Sequence, residues 1–370
     1  MTKRFGIKQV ASRVGGRRNL ALILLALLLG STVLLDILVV EKIVAPLVYL
    51  YIALGGIFTV YVAPPLYASR RLVSYYWQRV KRNRLALGGL GFILFLVLLA
   101  IIGPFFTADP TAVNFGEKNI PPVGFTLKES VYELETGQFI TRTATGDWQH
   151  PLGTDNKGRD LLAMIISGAG VSLQVGLLAT GIALALGTLI GVVSAYFGGK
   201  TDNILMRFTD IMMTFPFFLL LVLIVFIFGA NLAIIVLVIG LTGWTGTARL
   251  IRSEALSLRT RDFIMAAKAL GASDGRVVLT HLIPNVISLI IVIATLSIPG
   301  VIVAEAALSF IGLGDPAVTS WGMVLRAGQQ TLDTAWWVAV EPGIMLFLTV
   351  LAFNFLGDGI RDAFDPRSQL

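Results

Sequence analysis

IMMTFPFFLLLVLIVFIFGANLAIIVLVIGLTGWTGTA, residues 211–248, contains no charged side chain. Crossing a hydrocarbon core of about 30 Å takes about 20 helical residues, so this run is too long for one helix and too apolar for a soluble surface. Backbone amides find no water partner in hydrocarbon, which makes each span helical. Gly229-Ala230-Asn231 reads as a tight turn that divides the run into two spans. Outward from it, 171–197, 85–106 and 44–66 are also uncharged, and 20–40 carries only Asp36. The set closes with 282–304 and with 338–357, which holds one acid, Glu341. The fold class is therefore all-α, a polytopic membrane protein of eight helices.

Composition agrees. The chain of 370 residues is 56% hydrophobic and only 14% charged, against roughly 25% charged in a soluble domain. It contains no cysteine, which excludes disulfides, thiolate metal sites and cysteine nucleophiles, and its two histidines, His150 and His281, stand far apart. The net charge of +7 matters less than its placement. Arg4, Lys8, Arg17 and Arg18 precede the first span, and Arg79, Lys81, Arg82 and Arg84 precede the third. Lys200 and Arg207, the cluster from Arg249 to Arg276, and Arg361 fall on the same side. The positive-inside rule puts these segments and both termini in the cytoplasm, and makes the first two spans a hairpin. The segment 107–160 is acidic on balance and falls outside. A cleavable signal peptide fits poorly, because a second span follows the first at once. Asp36, near the outer end of its span, reads as a snorkelling acid. Gly176, Gly181, Gly187 and Gly191 imply close helix packing. Pro216, Pro284 and Pro299 mark kinks or helix starts. Outside the membrane, 125–134 alternates briefly without defining a fold.

One interior loop exceeds what a turn requires: ARLIRSEALSLRTRDFIMAAKALGASDGRVVLTHLIPN, residues 248–285. Ile264, Ala267 and Leu270 recur at helical spacing. Gly271 is placed to stop this short helix in the left-handed region, and Ser273 or Asp274 to cap a second short helix running toward Pro284. Two short helices at a small-residue corner make a knob, where Ala266, Ala267 and Gly271 let a partner come close. An amphipathic loop lying on anionic headgroups fits the same cations.

Ala266-Ala267, then Gly271, then Ile283-Pro284 closely resembles the EAA loop of the membrane subunits of ABC importers. HPLGTDNKGRDLLAMIISGAGVSLQVGL (150–177), YFGGKTDNILMRFTDIMMTFP (196–216), AEAALSFIGLG (304–314), SWG (320–322) and NFLGDGIRDAFDPR (354–367) are similar to the C-type permeases of oligopeptide, dipeptide and nickel importers. The resemblance spans roughly 85–367. It implies a six-helix type I importer core at 85–370, carrying the exterior segment 107–160 and the coupling loop 253–281. Residues 1–84 form a leader and an accessory hairpin. It further implies a multi-pass subunit of a bacterial or archaeal cell membrane that pairs with a homologous permease and receives substrate, peptide in the first instance, from an extracytoplasmic solute-binding protein. Nickel and small oligosaccharides remain open. Cytoplasmic ATPase subunits carry the ATP and magnesium; this chain is expected to bind no cofactor and no nucleic acid. Arg261, Asp262, Ala266, Ala267, Leu270, Gly271, Ala272 and Pro284 are the residues the resemblance assigns to ATPase coupling. Three departures stand out: Met265 where many such loops have Glu, the hairpin 20–66, and an insertion at 123–146.

Two motifs are decoys. SAYFGGKT (194–201) ends like a phosphate-binding loop, but lacks its first glycine and follows a membrane span rather than a strand. Gly312-Leu313-Gly314-Asp315 matches the GxGD of intramembrane aspartyl proteases, but the partner motif that would bring the second aspartate, Tyr-Asp within a span, is absent. An ion-driven transporter needs acids near mid-span, whereas Glu305 and Glu341 lie near the ends of theirs.

Overall fold

The computed structural model describes residues 70–133 and 138–364. The expected hairpin 20–66 and Asp36 lie outside the described residues. The chain divides into two units, Met1–Arg79 and Val80–Leu370. In the first, helix α1 (Arg70–Val80) sets Tyr75 and Tyr76 edge to face and places the Arg79 guanidinium 4.6 Å from the Tyr75 ring centroid.

In the second unit, Asn83's side-chain oxygen accepts from the Leu85 and Ala86 amides and so caps α2 (Arg84–Ile102). The segment after it is not helical throughout, which corrects the all-α expectation. Strands β1 (Thr126–Glu133) and β2 (Gln138–Thr145) pair antiparallel, in register from Thr126↔Thr145 to Glu133↔Gln138. Their sequences alternate and are rich in Thr, Val, Ile, Phe and Tyr, as strands require.

Helix α3 (Leu161–Phe197) starts directly after Asp160 and takes in the whole uncharged stretch 161–197, ten residues more than the expected span 171–197. Asp160 accepts the Ala163 amide proton at 2.9 Å and fixes that start. At 37 residues the helix is about 55 Å long and extends beyond the bilayer core. The close packing expected of its glycines is present. A side chain at Gly187 or Gly191 would strike the backbone of 244–252, and one at Gly176 would strike Ile298 and Ile302.

The run 211–248 is cut in more places than the tight turn alone. Helices α4 (Gly199–Thr214) and α5 (Phe217–Phe228) meet at Phe215-Pro216 with a bend of 79°. Pro216 has no amide hydrogen to continue the ladder. The turn at 229–231 is where the sequence places it, followed by α6 (Leu232–Thr242) and α7 (Trp244–Arg259). Next come α8 (Asp262–Ala269), the single turn α9 (Asp274–Val277), a π-helical turn (Val278–Leu282) and α10 (Ile283–Phe310). The chain closes with α11 (Trp321–Gln329) and α12 (Trp337–Phe364). Five helical stretches among the described residues are long and apolar enough to cross a membrane, six if the bent pair counts as one span.

Aromatic donors tie the β-hairpin end of the bundle together. Trp321 Nε1 donates to the Ile165 carbonyl at 2.9 Å, over Gly168, and Trp337 Nε1 donates to the Thr154 carbonyl at 3.0 Å. At the same end His150 bridges Asp160 (3.0 Å) and Glu117 (3.2 Å). Burial alone would pull the His150 pKa down, but the hydrogen bonds and charges of Asp160 and Glu117 outweigh it and hold the imidazole above its ordinary value. Both decoys resolve here. In 194–201 two left-handed glycines, Gly198 and Gly199, join helix to helix. Asp315 is buried and accepts the Leu232 amide at 2.8 Å and the Ala317 amide at 2.9 Å, so it caps α6.

Candidate functional site

The other end of the bundle is built around the loop that sequence reading singles out. Helix α7 carries the chain out of the span to Arg259, and after Thr260 an extended Arg261 (φ −74°, ψ 146°) turns it into α8. Asp262 in the first turn and Lys268 in the last complement the helix dipole. The Gly271 amide donates to the Lys268 carbonyl, the Ala272 amide donates to the Ala267 carbonyl, and Gly271 sits at φ +80°. This is a Schellman motif, which matches the left-handed stop expected of Gly271 and adds a contact that spacing does not reveal. The motif brings Ala272 back against Ala267, and both pack into the core beneath the knob.

The second short helix expected from Ser273 to Pro284 does not exist as a separate element. From Asp274 the chain runs as one helical stretch to Phe310. At the π turn the Ile283 amide reaches five residues back to the Val278 carbonyl. The widened turn lets Pro284 enter α10, where an α ladder would set its ring against the Thr280 carbonyl. The knob is thus one short helix fused through a tight corner to a membrane span, a stiffer object than two helices on a hinge.

Its anchorage is specific. Ile264, 1% exposed, sits among Val192, Ile251, Leu258, Val277 and Leu282. Tyr196, at the end of α3, donates its hydroxyl proton to Asp274 at 2.5 Å, and the Lys268 ammonium lies 4.4 Å from its ring centroid. Arg259 donates to the Ala195 carbonyl at 3.1 Å. One layer deeper, Asp202 takes a two-pronged bond from Arg252 (2.6 and 2.5 Å) and one from Ser194, pinning α4 to α7. Sequence reading missed Tyr196, Asp202 and Arg252. The legible signal was a tyrosine at the end of an uncharged run and an acid within reach of a cationic cluster.

The eight residues assigned to coupling fall into two sets. Arg261, Asp262, Ala266, Leu270, Gly271 and Pro284 are exposed, whereas Ala267 and Ala272 are half-buried against the core. Leu270 is 88% exposed, and Phe263, Met265 and Leu279 add apolar surface that sequence reading did not assign. No ion pair joins Arg261 or Asp262 among the described residues. Nor does any cluster of three His, Asp or Glu residues suited to a metal occur among them. Glu305 is buried six residues before the foot of α11's connecting loop and accepts from Ser309 at 2.7 Å.

A bundle of helices long and apolar enough to span a membrane, with one end drawn into a braced knob, is the build of a polytopic membrane protein. Residues 187–369 match the family described as binding-protein-dependent transport system inner membrane component, and residues 72–122 match the N-terminal TM domain of oligopeptide transport permease C. The oligopeptide transport system permease protein OppC of Haemophilus influenzae is 36% identical over 298 residues, 79% of this chain and 89% of that protein. The dipeptide transport system permease protein DppC of Bacillus subtilis is 36% identical over 294 residues, 79% of this chain and 84% of that protein. The corresponding OppC of Escherichia coli is 35% identical over 301 residues, 79% and 92% respectively. The chain belongs to the C-type permease family of binding-protein-dependent ABC importers, as a transport subunit.

Proposed function

We propose that this permease imports peptides. It lines half of a translocation path with a homologous permease, takes substrate from an extracytoplasmic solute-binding protein, and is driven by cytoplasmic ATPase subunits that hold the ATP and magnesium. Residues 20–66 add two spans to the six of the core, for eight in all. Residues 1–84 are the leader and accessory hairpin, and 85–370 the core. Both termini and the loop 253–281 face the cytoplasm, and 107–160 faces outward, on the placement of the cations.

The observation that carries the reading is the knob itself. A lever transmits motion only if its base does not yield, and Ile264, Tyr196, Asp274 and the Gly271 cap fix this base to α3, α7 and α10. Its outward face offers Phe263, Met265, Leu270 and Leu279. With Met265 in place of the acid usual in such loops, apolar contact carries the grip on the ATPase and Arg261 and Asp262 form its rim. Ala267 and Ala272 act from beneath by setting the cap, while Ala266 and Gly271 let the ATPase surface come close. Pro284 marks where the lever joins the span.

Because the chain lacks cysteine, Met265→Cys introduces a unique thiol. In the assembled transporter it should cross-link to a cysteine placed in the ATPase groove, with a yield that changes between nucleotide-free and ATP-bound states. Labelling of that thiol by an impermeant reagent from outside intact cells would refute the placement.

A further inference from the structure

Three interruptions of the helices meet at one cavity. A pocket of about 350 Å³ lies between α3, the start of α5, the α6–α7 joint and α10. Phe217 opens α5 directly after the Pro216 bend, Gly243 joins α6 to α7, and Gly300 follows Pro299 inside α10; all three line it. Thr180, Gly243 and Ser297 stand near the middle of their helical stretches, so the pocket lies at membrane depth. Interrupted backbone is tolerated there where it borders a cavity rather than lipid.

The polar groups around it are hydroxyls with nothing to bond. Elsewhere in the bundle the hydroxyls of Thr209, Thr242, Thr295 and Thr349 each donate to the carbonyl four residues earlier. Thr180 does not: its Oγ1 is buried with no hydrogen-bond partner. Thr247, 7% exposed, sets Cβ and Cγ2 against Gly187, which leaves its hydroxyl free of that packing. Neither this hydroxyl nor that of Ser297 makes a hydrogen bond among the described residues. Hydroxyls kept from water without a partner are costly, and here three of them, from α3, α7 and α10, border the same space.

The lining selects among ligands by what it lacks. None of its residues is charged, so a metal ion finds no carboxylate or imidazole and a peptide terminus no countercharge. An acyl chain has no use for the hydroxyls. A sugar would bury more hydroxyls than three partners can satisfy in an otherwise apolar wall. A peptide bond is neutral and offers one N–H and one C=O, and a hydroxyl can serve either. The volume falls within the roughly 300–1,000 Å³ of ligand pockets. We infer that this pocket holds a backbone amide of the peptide in transit, with Thr247 and Ser297 as the groups that meet it from opposite helices and Thr180 beside them. The peptide's side chains and charged ends go unread at this point. The inference rests on the import of peptides proposed above.

Ala183→Cys gives the chain a unique thiol in the pocket wall, and Val301→Cys gives a second reporter should the first disturb folding. In the complete transporter in nanodiscs, maleimide labelling of that thiol is followed in the nucleotide-free and vanadate-trapped states. Trialanine should slow it in at least one of them. N-acetyl-trialanine amide should protect at least as well, because no charge in the pocket faces the ends. An analogue with both amide N–H groups replaced by ester oxygens should need about three- to tenfold more, the loss expected for neutral hydrogen bonds. Thr247→Val keeps the shape and removes the hydroxyl, so it should erase most of that difference, as should Ser297→Ala; Thr247→Ser should keep it. No protection in either state, equal protection by peptide and ester, indifference to both hydroxyl deletions, or protection by maltotriose as strong as by trialanine would each overturn the assignment. ATP-dependent uptake by the same complex is measured in parallel. Its failure for every peptide would refute the import reading, while the labelling still decides the pocket.

Discussion

Gly271 sits at a corner where two kinds of damage can be separated. Its φ of +80° means that any L side chain there costs about 1–2 kcal/mol of left-handed strain. A Cβ at this position meets nothing within 4 Å in this chain. Alanine and arginine therefore impose the same backbone cost and no internal clash. Against that cost stand the burial of Ile264, the Lys268–Tyr196 contact and the Tyr196–Asp274 hydrogen bond, together worth about 4–7 kcal/mol. The knob should stay closed in both variants. Gly271→Ala should keep more than half of ATP-dependent uptake in proteoliposomes and retain the ATPase on purification. Gly271→Asn, which tolerates the left-handed region, should do at least as well. Gly271→Arg adds a long cation to the outward surface, and should lose the ATPase and at least tenfold in uptake while inserting at normal levels. Equal damage by alanine and arginine would show that the cap, not the contact, was broken. An arginine variant that retains both uptake and ATPase would show that nothing grips this surface.

Further outcomes follow from the same packing. Ile264→Ala should cost the knob about 2–5 kcal/mol and raise hydrogen exchange in 262–272 before it touches the spans, because the cavity opens under an eight-residue helix with no other buried anchor of its own. His150 carries a raised pKa, so its stabilisation of the segment around Glu117 and Asp160 is fully present below its ordinary value of 6.5 and fades as pH rises through the raised one. Exchange in 147–160 should therefore increase with pH beyond the intrinsic rate, and His150→Gln should flatten that profile. Deleting 1–66 should lower abundance or insertion more than substrate choice; a variant at normal levels with altered peptide preference would contradict the accessory role proposed for the hairpin.

The sequence by itself determined the environment and most of the spans. An uncharged run as long as 211–248 has only helical solutions in hydrocarbon, and the tight turn at 229–231 follows from residue chemistry alone. Gly271 as a left-handed stop was legible for the same reason, since local backbone preference suffices there. The β-hairpin at 126–145 was visible only as a brief alternation, because strand pairing depends on a partner segment and not on either strand alone.

Tertiary structure decided the rest. Whether Ala267 faces a partner or the core depends on where the cap folds Ala272 back, and spacing carries no sign for that. The continuous helix from Asp274 to Phe310 and the 79° bend at Phe215-Pro216 begin alike in sequence, each with a proline at a span's edge. In one place a π turn satisfies the backbone around the ring and in the other the chain breaks. Tyr196, Asp202 and Arg252 acquire their roles only from residues far along the chain. Electrostatics and hydrogen bonding act through space at a few ångströms, and a linear reading has no measure of that distance.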